Sequence, residues 1–381
     1  MQTRKYRVGF ILTTKLGNAT RFQIIKKYAE RDESIICFWA PIDYSPVDSR
    51  LVRLTMKLPL LLRWRAIVVL QSSPVIARLN TLDAVVVHQF EPSVLLSMRR
   101  TFKTRPILVN SSDDTPLVPG REHPMYDNEI RRNPWLQRLR FKLDIWRARR
   151  ADLTIPMSTW AAKILVDDCG VERLSVLPLH VGMDLEEWPA EVPRQLKNSK
   201  LRLLFVGGDF ERKGGNLLLE VHQAEFADDV ELHIVSKNFG SMSYKNVYIY
   251  NDIESNDLRL KMLYRDCDIF VLPTLSDLSS WVCLEAMASS RPVISTNVAG
   301  ITDIVKHNQN GLIVAKGSAS ELSNAISELL SNSDRRVAMG LKGREIVERE
   351  FNAQRNVPAI LAFIKQGIDD KLFTVGSAFF S

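Results

Sequence analysis

The sequence predicts two doubly wound α/β domains, each built on a parallel sheet. Apolar runs of four to six residues alternate with segments of helical periodicity, the pattern of buried parallel strands separated by crossover helices. The alternation occurs twice and stops around residues 185–199, where two prolines and several polar residues indicate a linker. A length of 381 residues also favours two cores over one.

The first series of strands predicts a domain over residues 1–190. A loop containing Gly17 follows the first strand, and a helix is expected from about Thr20 to Arg31. The segment Lys57–Leu70 favours an amphipathic helix that covers the sheet, with docking on an anionic membrane as the alternative. The basic stretch Arg138–Arg150 is expected to be a solvated helix face. The predicted strands are Arg7–Thr13, Ser34–Trp39, Leu82–His88, Pro106–Asn110, Arg150–Pro156 and Leu174–Pro178.

The second series predicts a domain over residues 200–350. Two doubly wound domains around a linker imply a central cleft, where the carboxyl ends of their strands face each other and a ligand binds. The expected helices include Asn216–Gln223, Ser318–Leu330 and Asp334–Glu350. The predicted strands are Leu201–Val206, Val230–Val235, Val247–Tyr250, Asp268–Leu272, Pro292–Ser295 and Gly311–Val314.

Charge and cysteine content narrow the function classes. Residues 1–190 carry 29 basic and 20 acidic side chains, against 22 and 24 in the remainder, so the N-terminal half suits an anionic partner. No helix-turn-helix, RRM or zinc-finger pattern accompanies this charge, so nucleic acid is not the expected partner. Four widely spaced cysteines and a short first apolar run favour a cytoplasmic protein without a disulfide framework.

Asp277 and Glu285 form the most informative pattern in the chain. They stand eight residues apart, across the junction between a buried strand that ends near Pro273 and a short helix. Backbone N–H groups at Ser279 and Ser280 would open that helix and offer a positive dipole end to a phosphate. Carboxylates on either side would accept hydrogen bonds from sugar hydroxyls. The combination is what a nucleotide-sugar requires.

A glycine-rich loop follows the first strand of the second series. It runs from Gly207 to Gly215 and contains Gly208, Arg212 and Lys213. Glycines let the backbone approach a ligand closely, and the two cations would stabilise the charge that develops on a departing diphosphate. The spacing is neither that of a Walker A loop nor G-x-G-x-x-G.

Taken together, these motifs resemble the donor domain of the retaining glycosyltransferases of family 4, glycosyltransferase group 1, which have the GT-B fold. The resemblance is carried by the Gly207–Gly215 loop, the Asp268–Pro273 strand, the Asp277 and Glu285 pair, Ala299–Gly300 and the run from Asn310 to Val314. The N-terminal half fits more loosely, through the Gly17 loop, the strand ending at His88, and Leu177–Asp184. Phe351–Phe363 resembles terminal helices that pack back on the first domain, so residues 351–381 are expected to belong there.

The resemblance implies roles for individual residues. Arg212 and Lys213 would hold the diphosphate, and Gly207 and Gly208 would let the backbone approach it. Asp277 would contact the transferred sugar near its 3- or 4-hydroxyl. The remaining donor-site residues are Glu285 for the ribose hydroxyls, Ser279 and Ser280 for phosphate, Gly17 for access to the donor, and His88 for the reacting sugar.

The resemblance also implies a reaction, retaining hexosyl transfer from a nucleotide-diphosphate sugar, with neither cofactor nor metal expected. Asp113 and Asp114 follow a strand and would either line the acceptor cleft or form a structural turn. The acceptor is a sugar, lipid or small molecule, and peripheral contact of the basic N-terminal half with the inner face of a membrane stays open. The alternatives are a nucleotide-sugar-binding protein with impaired catalysis and a GT-B nucleotide-sugar epimerase.

This chain differs from the family pattern at three places near the donor. Asp277 replaces the first glutamate of the motif and is one methylene shorter. The glycines of the usual Glu-Gly-Phe-Gly run are absent from residues 277–280. Many members have Gly-Arg where this chain has Gly207 and Gly208, and Arg212 is expected to supply the second cation instead.

Overall fold

The structure is a computed structural model that describes residues 4–14, 17–43, 60–88, 106–111, 115–116, 134–189, 200–237, 239, 243–255 and 257–377. The chain divides into two compact units. The first comprises Met1–His123, Asn128–Val181 and Ala353–Ser381, and the second comprises Pro124–Asp127 and Gly182–Asn352. Each unit contains one parallel sheet, so the prediction of two parallel α/β domains is confirmed.

The sheet of the first unit has the strand order β2-β1-β3-β4-β5, with every neighbouring pair parallel. Strand β1 pairs with β2 on one side and with β3 on the other, and Val8 lies opposite Cys37 and Ala84 in the two pairings. The strands are β1 (Tyr6–Thr13), β2 (Ile35–Ile42), β3 (Ala84–Val87), β4 (Ile107–Asn110) and β5 (Leu153–Thr154). The helices before the second unit are α1 (Gly17–Ala29), α2 (Leu60–Gln71), α3 (Ser73–Ile76), α4 (Pro134–Ala148) and α5 (Thr159–Lys163).

Two sequence expectations change in this unit, and a third agrees with the structure. Gly17, placed in a loop by the sequence, is the first residue of α1. The strand predicted at Leu174–Pro178 is wrong, because Arg173–Ser175 form a 3-10 turn and Val176 alone bridges to Thr154. In α2, Val68 is buried in the core with strand residues, as expected of a helix that covers the sheet. Residues 57–59 of the segment lie outside the described residues.

A long C-terminal helix, Ala353–Ser377, completes the first unit. Asp369 accepts hydrogen bonds from Arg4 Nη1 at 2.6 Å and from Tyr6 Oη at 2.8 Å. Lys365 Nζ lies 2.9 Å from Asp32 Oδ2. These contacts connect residues more than 300 positions apart in the chain, so the last helix is part of the N-terminal fold.

The sheet of the second unit has the order β11-β10-β9-β6-β7-β8, again parallel throughout. Its strands are β6 (Leu201–Val206), β7 (Val230–Val235), β8 (Val247–Tyr250), β9 (Ile269–Leu272), β10 (Val293–Thr296) and β11 (Gly311–Val314). Its helices are α6 (Gly215–Val221), α7 (Leu258–Asp266), α8 (Trp281–Ala288), α9 (Ile301–Ile304), α10 (Ala319–Ser331) and α11 (Ser333–Glu350).

Local chemistry explains where these last helices begin. The Ser318 side chain caps α10 by accepting from Glu321 N at 3.3 Å, and Glu321 accepts from Ala315 N at 2.7 Å, which together satisfy two backbone donors at the helix start. Asn332 caps α11 in the same way through Arg335 N. The four central strands β6, β7, β9 and β10 are almost entirely buried, which is the reason they read as continuous apolar runs.

Candidate functional site

The strand order of the second unit creates a topological switch point between β6 and β9. From β6 the chain continues outward through β7 and β8, and then returns to β9 on the other side of β6. Loops that leave the carboxyl ends of such strands diverge and leave a crevice, which is the usual ligand site of this architecture. The two loops here are residues 207–214 and 273–280. They contain Arg212, Lys213 and Asp277, whereas Glu285 lies on helix α8, which follows the second loop.

The glycines of the first loop permit it to pack directly on the second. Gly214 has φ +79°, and a Cβ at this position would lie 1.9 Å from the carbonyl oxygen of Pro273. A Cβ on Gly207 would lie 3.1 Å from Cβ of Lys213. Gly208 is exposed, and a Cβ on it would meet no heavy atom within 4 Å, so it is the glycine that leaves open space at the loop surface.

Lys213 and Asp277 form an ion pair across the two loops, with both side chains largely buried. Asp277 Oδ1 also accepts from Leu278 N at 3.1 Å, which fixes the carboxylate against the second loop. The short aspartate side chain therefore reaches Lys213 in this chain. A charged pair at a loop junction beside a helix start is a suitable site for an anion that exchanges with the carboxylate.

Arg212 ties the same two loops together from the adjacent position. Its Nη1 donates to Ser276 O at 2.6 Å, and its Nε donates to Asp209 Oδ2 at 3.0 Å. The backbone is joined as well, since Leu275 N donates to Arg212 O at 3.0 Å. The Arg212 side chain remains about one-third exposed. It thus places a second fixed positive charge next to Lys213.

The start of α8 forms the floor of this site. Ser280 is buried and stands immediately before the helix, with an extended backbone, while Ser279 is half-buried. One turn inside the helix, burial raises the pKa of the Cys283 thiol to about 12, with Asp277 adding to the rise and Lys213 opposing it. A neutral thiol therefore lies close enough to the ion pair to be affected by both of its charges.

The loop after β10 braces the second loop. Gly300 N donates to Leu278 O at 2.9 Å. The preceding Ala299 has φ +43°, a left-handed conformation that costs a residue with a Cβ of the order of 1 kcal/mol. Strain of this kind persists where surrounding contacts impose it, and here it lies next to the residue that contacts the second loop through Leu278.

Glu285, the second carboxylate of the motif, has different neighbours. It is buried on α8, where Tyr264 Oη donates to its Oε2 at 2.8 Å. Burial raises the pKa of Glu285 to about 7, although the Tyr264 hydrogen bond and the charge of Lys261 act in the opposite direction. The carboxylate is therefore held by α7, away from the hydrogen bonds of the Lys213–Asp277 pair.

A cavity of about 380 Å³ lies in the same unit but involves none of the predicted site residues. Its lining includes Trp188, Lys261, Arg265 and Ser289. Lys261 Nζ stands 5.3 Å from the ring centroid of Trp188. The motif loops, and not this cavity, coincide with the switch point, so the geometry of the sheet identifies the candidate site.

The first unit has its own switch point, between β1 and β3. Gly17 opens α1 after β1, and His88 follows β3 and is 6 % exposed. Between these elements lies Arg21, 2 % exposed, whose Nη2 donates to Ser111 O at 2.8 Å and to Ser111 Oγ at 2.6 Å. Asp113 and Asp114 lie outside the described residues.

Arg21 belongs to a buried polar cluster that the sequence did not reveal. Burial, followed by the charge of Arg21, holds the pKa of His88 well below its usual range and lowers that of His180 to about 3. Asn110, at the end of β4, is also buried, as is His180. Both imidazoles are thus neutral at physiological pH. The one feature of the sequence that could have indicated this cluster is Arg21 itself, an arginine in the first turns of a helix that follows a buried strand.

Within the described residues, the structure brings Gly207, Arg212, Lys213, Asp277 and Ser280 together at one switch point. No group of three or more His, Cys, Asp or Glu side chains arranged to hold a metal ion occurs in those parts of the chain. None of the helices described is long and apolar enough to cross a lipid bilayer.

Solved structures that resemble this chain include glycosyltransferases of the GT-B fold. Sucrose-phosphate synthase of Thermosynechococcus elongatus superimposes with a TM-score of 0.75 and 17 % identity, over 97 % of this chain and 100 % of the other. Anabaena HepE in complex with UDP-glucose gives 0.66 and 16 %, over 97 % and 99 %. Identities this low show the fold alone: two Rossmann-like α/β units of the GT-B type.

Sequence relatives agree. An uncharacterized glycosyltransferase of Methanocaldococcus jannaschii is 27 % identical over 41 % of this chain and 46 % of its own length. The amylovoran biosynthesis glycosyltransferase AmsK of Erwinia amylovora is 26 % identical over 55 % and 56 %. The chain thus matches about half the length of these relatives. Residues 200–332 match the family Glycosyl transferases group 1, so this region of the chain resembles the group 1 glycosyltransferase domain.

Proposed function

We propose that the chain is a retaining glycosyltransferase of family 4, which transfers a hexosyl group from a nucleotide-diphosphate sugar to an acceptor hydroxyl without a metal ion. One observation carries the proposal. Arg212, Lys213 and Asp277 come from two separate loops and meet at the switch point of a group 1 domain. Two cations beside a helix start suit a diphosphate, and a carboxylate beside them suits a sugar.

Donor binding begins with the ion pair. Without ligand, Asp277 neutralises Lys213; a bound diphosphate takes over that role and releases the carboxylate toward the sugar hydroxyls. Arg212 adds charge from its anchored position, and the Ser279 and Ser280 amides approach the phosphate. When Glu285 is ionised, it accepts hydrogen bonds from the ribose hydroxyls. Because burial raises its pKa to about 7, this binding depends on pH in the physiological range.

The reaction proceeds at the anomeric carbon. The bond between C1 and the diphosphate oxygen breaks, and the electron pair leaves with the diphosphate. The acceptor oxygen attacks C1 from the same face, and its proton passes to the departing diphosphate oxygen. Lys213 and Arg212 stabilise the charge that develops on this oxygen. We assign to His88, as a neutral imidazole, a hydrogen bond to the transferred sugar.

The proteins that this chain resembles suggest classes of donor and acceptor. HepE was solved with UDP and with UDP-glucose, and a Mycobacterium tuberculosis relative, 44 % identical over 18 % of both chains, is a GDP-mannose-dependent mannosyltransferase that acts on phosphatidylinositol monomannoside. We therefore propose a UDP- or GDP-sugar donor. Glycan biosynthesis in the relatives favours a sugar or glycolipid acceptor.

The first test is a thermal-shift screen with UDP, GDP, ADP and their sugar conjugates, in buffer with EDTA. One nucleotide should raise the melting temperature of the wild type, and Lys213→Ala should abolish that rise and lower transfer about 10²- to 10³-fold. Lys342→Ala is the matched control, because Lys342 is a surface lysine of the same unit that pairs with Glu345 at 2.8 Å.

Removal of Lys213 also leaves Asp277 unpaired, which costs up to about 3 kcal/mol of stability. The double variant Lys213→Ala with Asp277→Asn should recover that stability but not the nucleotide response. A rise that persists in both variants would contradict the donor site. Donor binding without transfer to any acceptor would favour the binding-protein alternative, and release of epimerised donor would favour the epimerase.

A further inference from the structure

Helix α4 in the first unit exposes an apolar face. Among the described residues eleven large apolar side chains are exposed, and four of them lie on this one helix. They are Trp135 at 67 %, Leu139 at 44 %, Leu143 at 47 % and Trp146 at 39 % exposure. We refer to these four side chains as the Trp/Leu face. Such a concentration of exposed tryptophan and leucine indicates a contact surface.

The spacing places all four residues on one side of the helix. At 100° per residue, Trp135, Trp146, Leu139 and Leu143 fall within about 80° of one another. Arg138 and Lys142, both exposed, lie about 20° to 60° to one side of them. The face therefore consists of an apolar strip flanked by a basic strip, over about three helical turns.

The opposite side of α4 holds it to the unit. Ala148 is buried with Ile164, Leu165 and Cys169, and Phe141 and Ile145 pack against the same cluster. Asp144, the acidic residue of the helix, points to this buried side and pairs with Arg147 at 3.1 Å. The negative charge is thus removed from the Trp/Leu face, and the positive charge is kept on it.

Further positive charge continues past the end of the helix. Arg150 stacks on Trp146, with its guanidinium carbon 4.6 Å from the ring centroid. Arg149 is exposed and is anchored by a 2.6 Å hydrogen bond from its Nε to Cys169 O. An arginine on a tryptophan ring is a stable arrangement at an interface that is apolar on one side and anionic on the other.

We propose that the Trp/Leu face docks on the surface of an anionic lipid bilayer, with α4 lying in the plane of the interface. Tryptophan prefers the boundary between acyl chains and headgroups, leucine enters the acyl region, and basic side chains bind anionic headgroups. The one-sided charge is what distinguishes this surface from a site for a protein partner of mixed charge. The inference does not depend on the donor site.

Flotation with lipid vesicles tests the proposal. The full chain should float with vesicles of phosphatidylcholine and phosphatidylglycerol in equal amounts, and stay behind with phosphatidylcholine alone. The double variant Trp135→Ser with Trp146→Ser should lower the partition coefficient about tenfold or more. Arg138→Gln with Lys142→Gln should lower it about tenfold on anionic vesicles, with a weaker dependence on salt.

Leu174→Ser is the matched control, because Leu174 is 85 % exposed in the same unit but outside α4. It should float like the wild type. All the changed side chains are solvent-exposed, and an unaltered melting temperature verifies that each variant folds. Failure of the wild type to float with anionic vesicles would overturn the proposal. So would a tryptophan variant that floats normally, or one whose only effect is to dissociate a dimer.

Discussion

The two switch points of this protein show how one sheet architecture supports two kinds of polar site. In the second unit, the site consists of charged groups from adjacent loops, with Lys213 paired to Asp277 and Arg212 partly exposed. In the first unit, the site is built around a buried arginine and two neutral histidines. The charged site is supplied by two short contiguous segments, whereas the buried hydrogen-bonding site collects single residues from several elements of the first unit.

The largest expected effect tests how closely the two loops of the charged site must approach. Gly214→Ala should reduce stability by about 4 kcal/mol and nearly abolish transfer, because φ is +79° and the new Cβ would lie 1.9 Å from Pro273 O. Chemical denaturation and an activity assay measure the two effects.

Gly208→Ala is the control for that variant, since a Cβ there meets nothing within 4 Å. It should retain the stability of the wild type. If Gly214→Ala were as stable as Gly208→Ala, the close packing of the two loops would not be needed for the fold of the site.

The second expected effect concerns Glu285 and separates ligand binding from stability. Because its folded pKa is raised to about 7 from 4.5, its protonated form stabilises the fold; that contribution is complete below pH 4.5 and is lost as the pH rises through about 7. Glu285→Gln should therefore be up to about 3 kcal/mol more stable than the wild type at pH 8, and nearly equal at pH 5.

Glu285→Gln should also bind the nucleotide about tenfold more weakly at pH 8, because it lacks the carboxylate that accepts hydrogen bonds from the ribose hydroxyls. The difference between variant and wild-type melting curves isolates this residue from His222 and His233, whose pKa values burial lowers in the same unit. A variant with lower stability at pH 8 would contradict the assigned cost of the buried carboxylate.

The smallest expected effect lies in the first unit. Arg21→Met removes the hydrogen bonds to Ser111 and should cost about 2 kcal/mol of stability. The pKa values of His88 and His180 should rise only in part, because burial is their larger cause. Imidazole resonances followed by NMR titration measure the rise.

Acid should affect the wild-type histidines in a defined direction. Since their folded pKa values are lowered from 6.5, stability is full above pH 6.5 and falls as the pH drops below it. The nucleotide-induced thermal shift of the second unit should be unchanged in Arg21→Met. If that shift disappeared, the two sites would be coupled and not independent.

Sequence reasoning was most successful where one contiguous segment supplies both structure and chemistry. The apolar runs of β6, β7, β9 and β10 predicted their strands, because strands covered on both faces need no polar alternation. The Gly207–Gly215 and Asp277–Glu285 segments each follow one of these strands, so the sequence predicted both at the carboxyl ends of the sheet. The roles assigned to their residues remain predictions that the proposed variants test.

It was least successful where a function depends on contacts across the chain. The two-residue strand β5 and the turn at Arg173–Ser175 have little local signal, so the predicted strand at Leu174–Pro178 was wrong. In the sequence, Arg21 does not differ from an exposed helical arginine, and only the fold buries it and brings it to Ser111. The basic stretch in α4 predicted a solvated face, and the structure adds that the same face exposes two tryptophans and two leucines.

The sequence by itself determined the two parallel α/β units, the order of their elements and the segments that supply charged and glycine residues, because hydrophobic periodicity and short motifs are local properties. Only the tertiary structure decided which of these residues meet. It paired Lys213 with Asp277, turned Glu285 toward Tyr264, and buried Arg21 near two histidines. Those outcomes depend on strand order and loop packing, which bring distant positions within a few ångströms and set the local dielectric and charge that no single segment encodes.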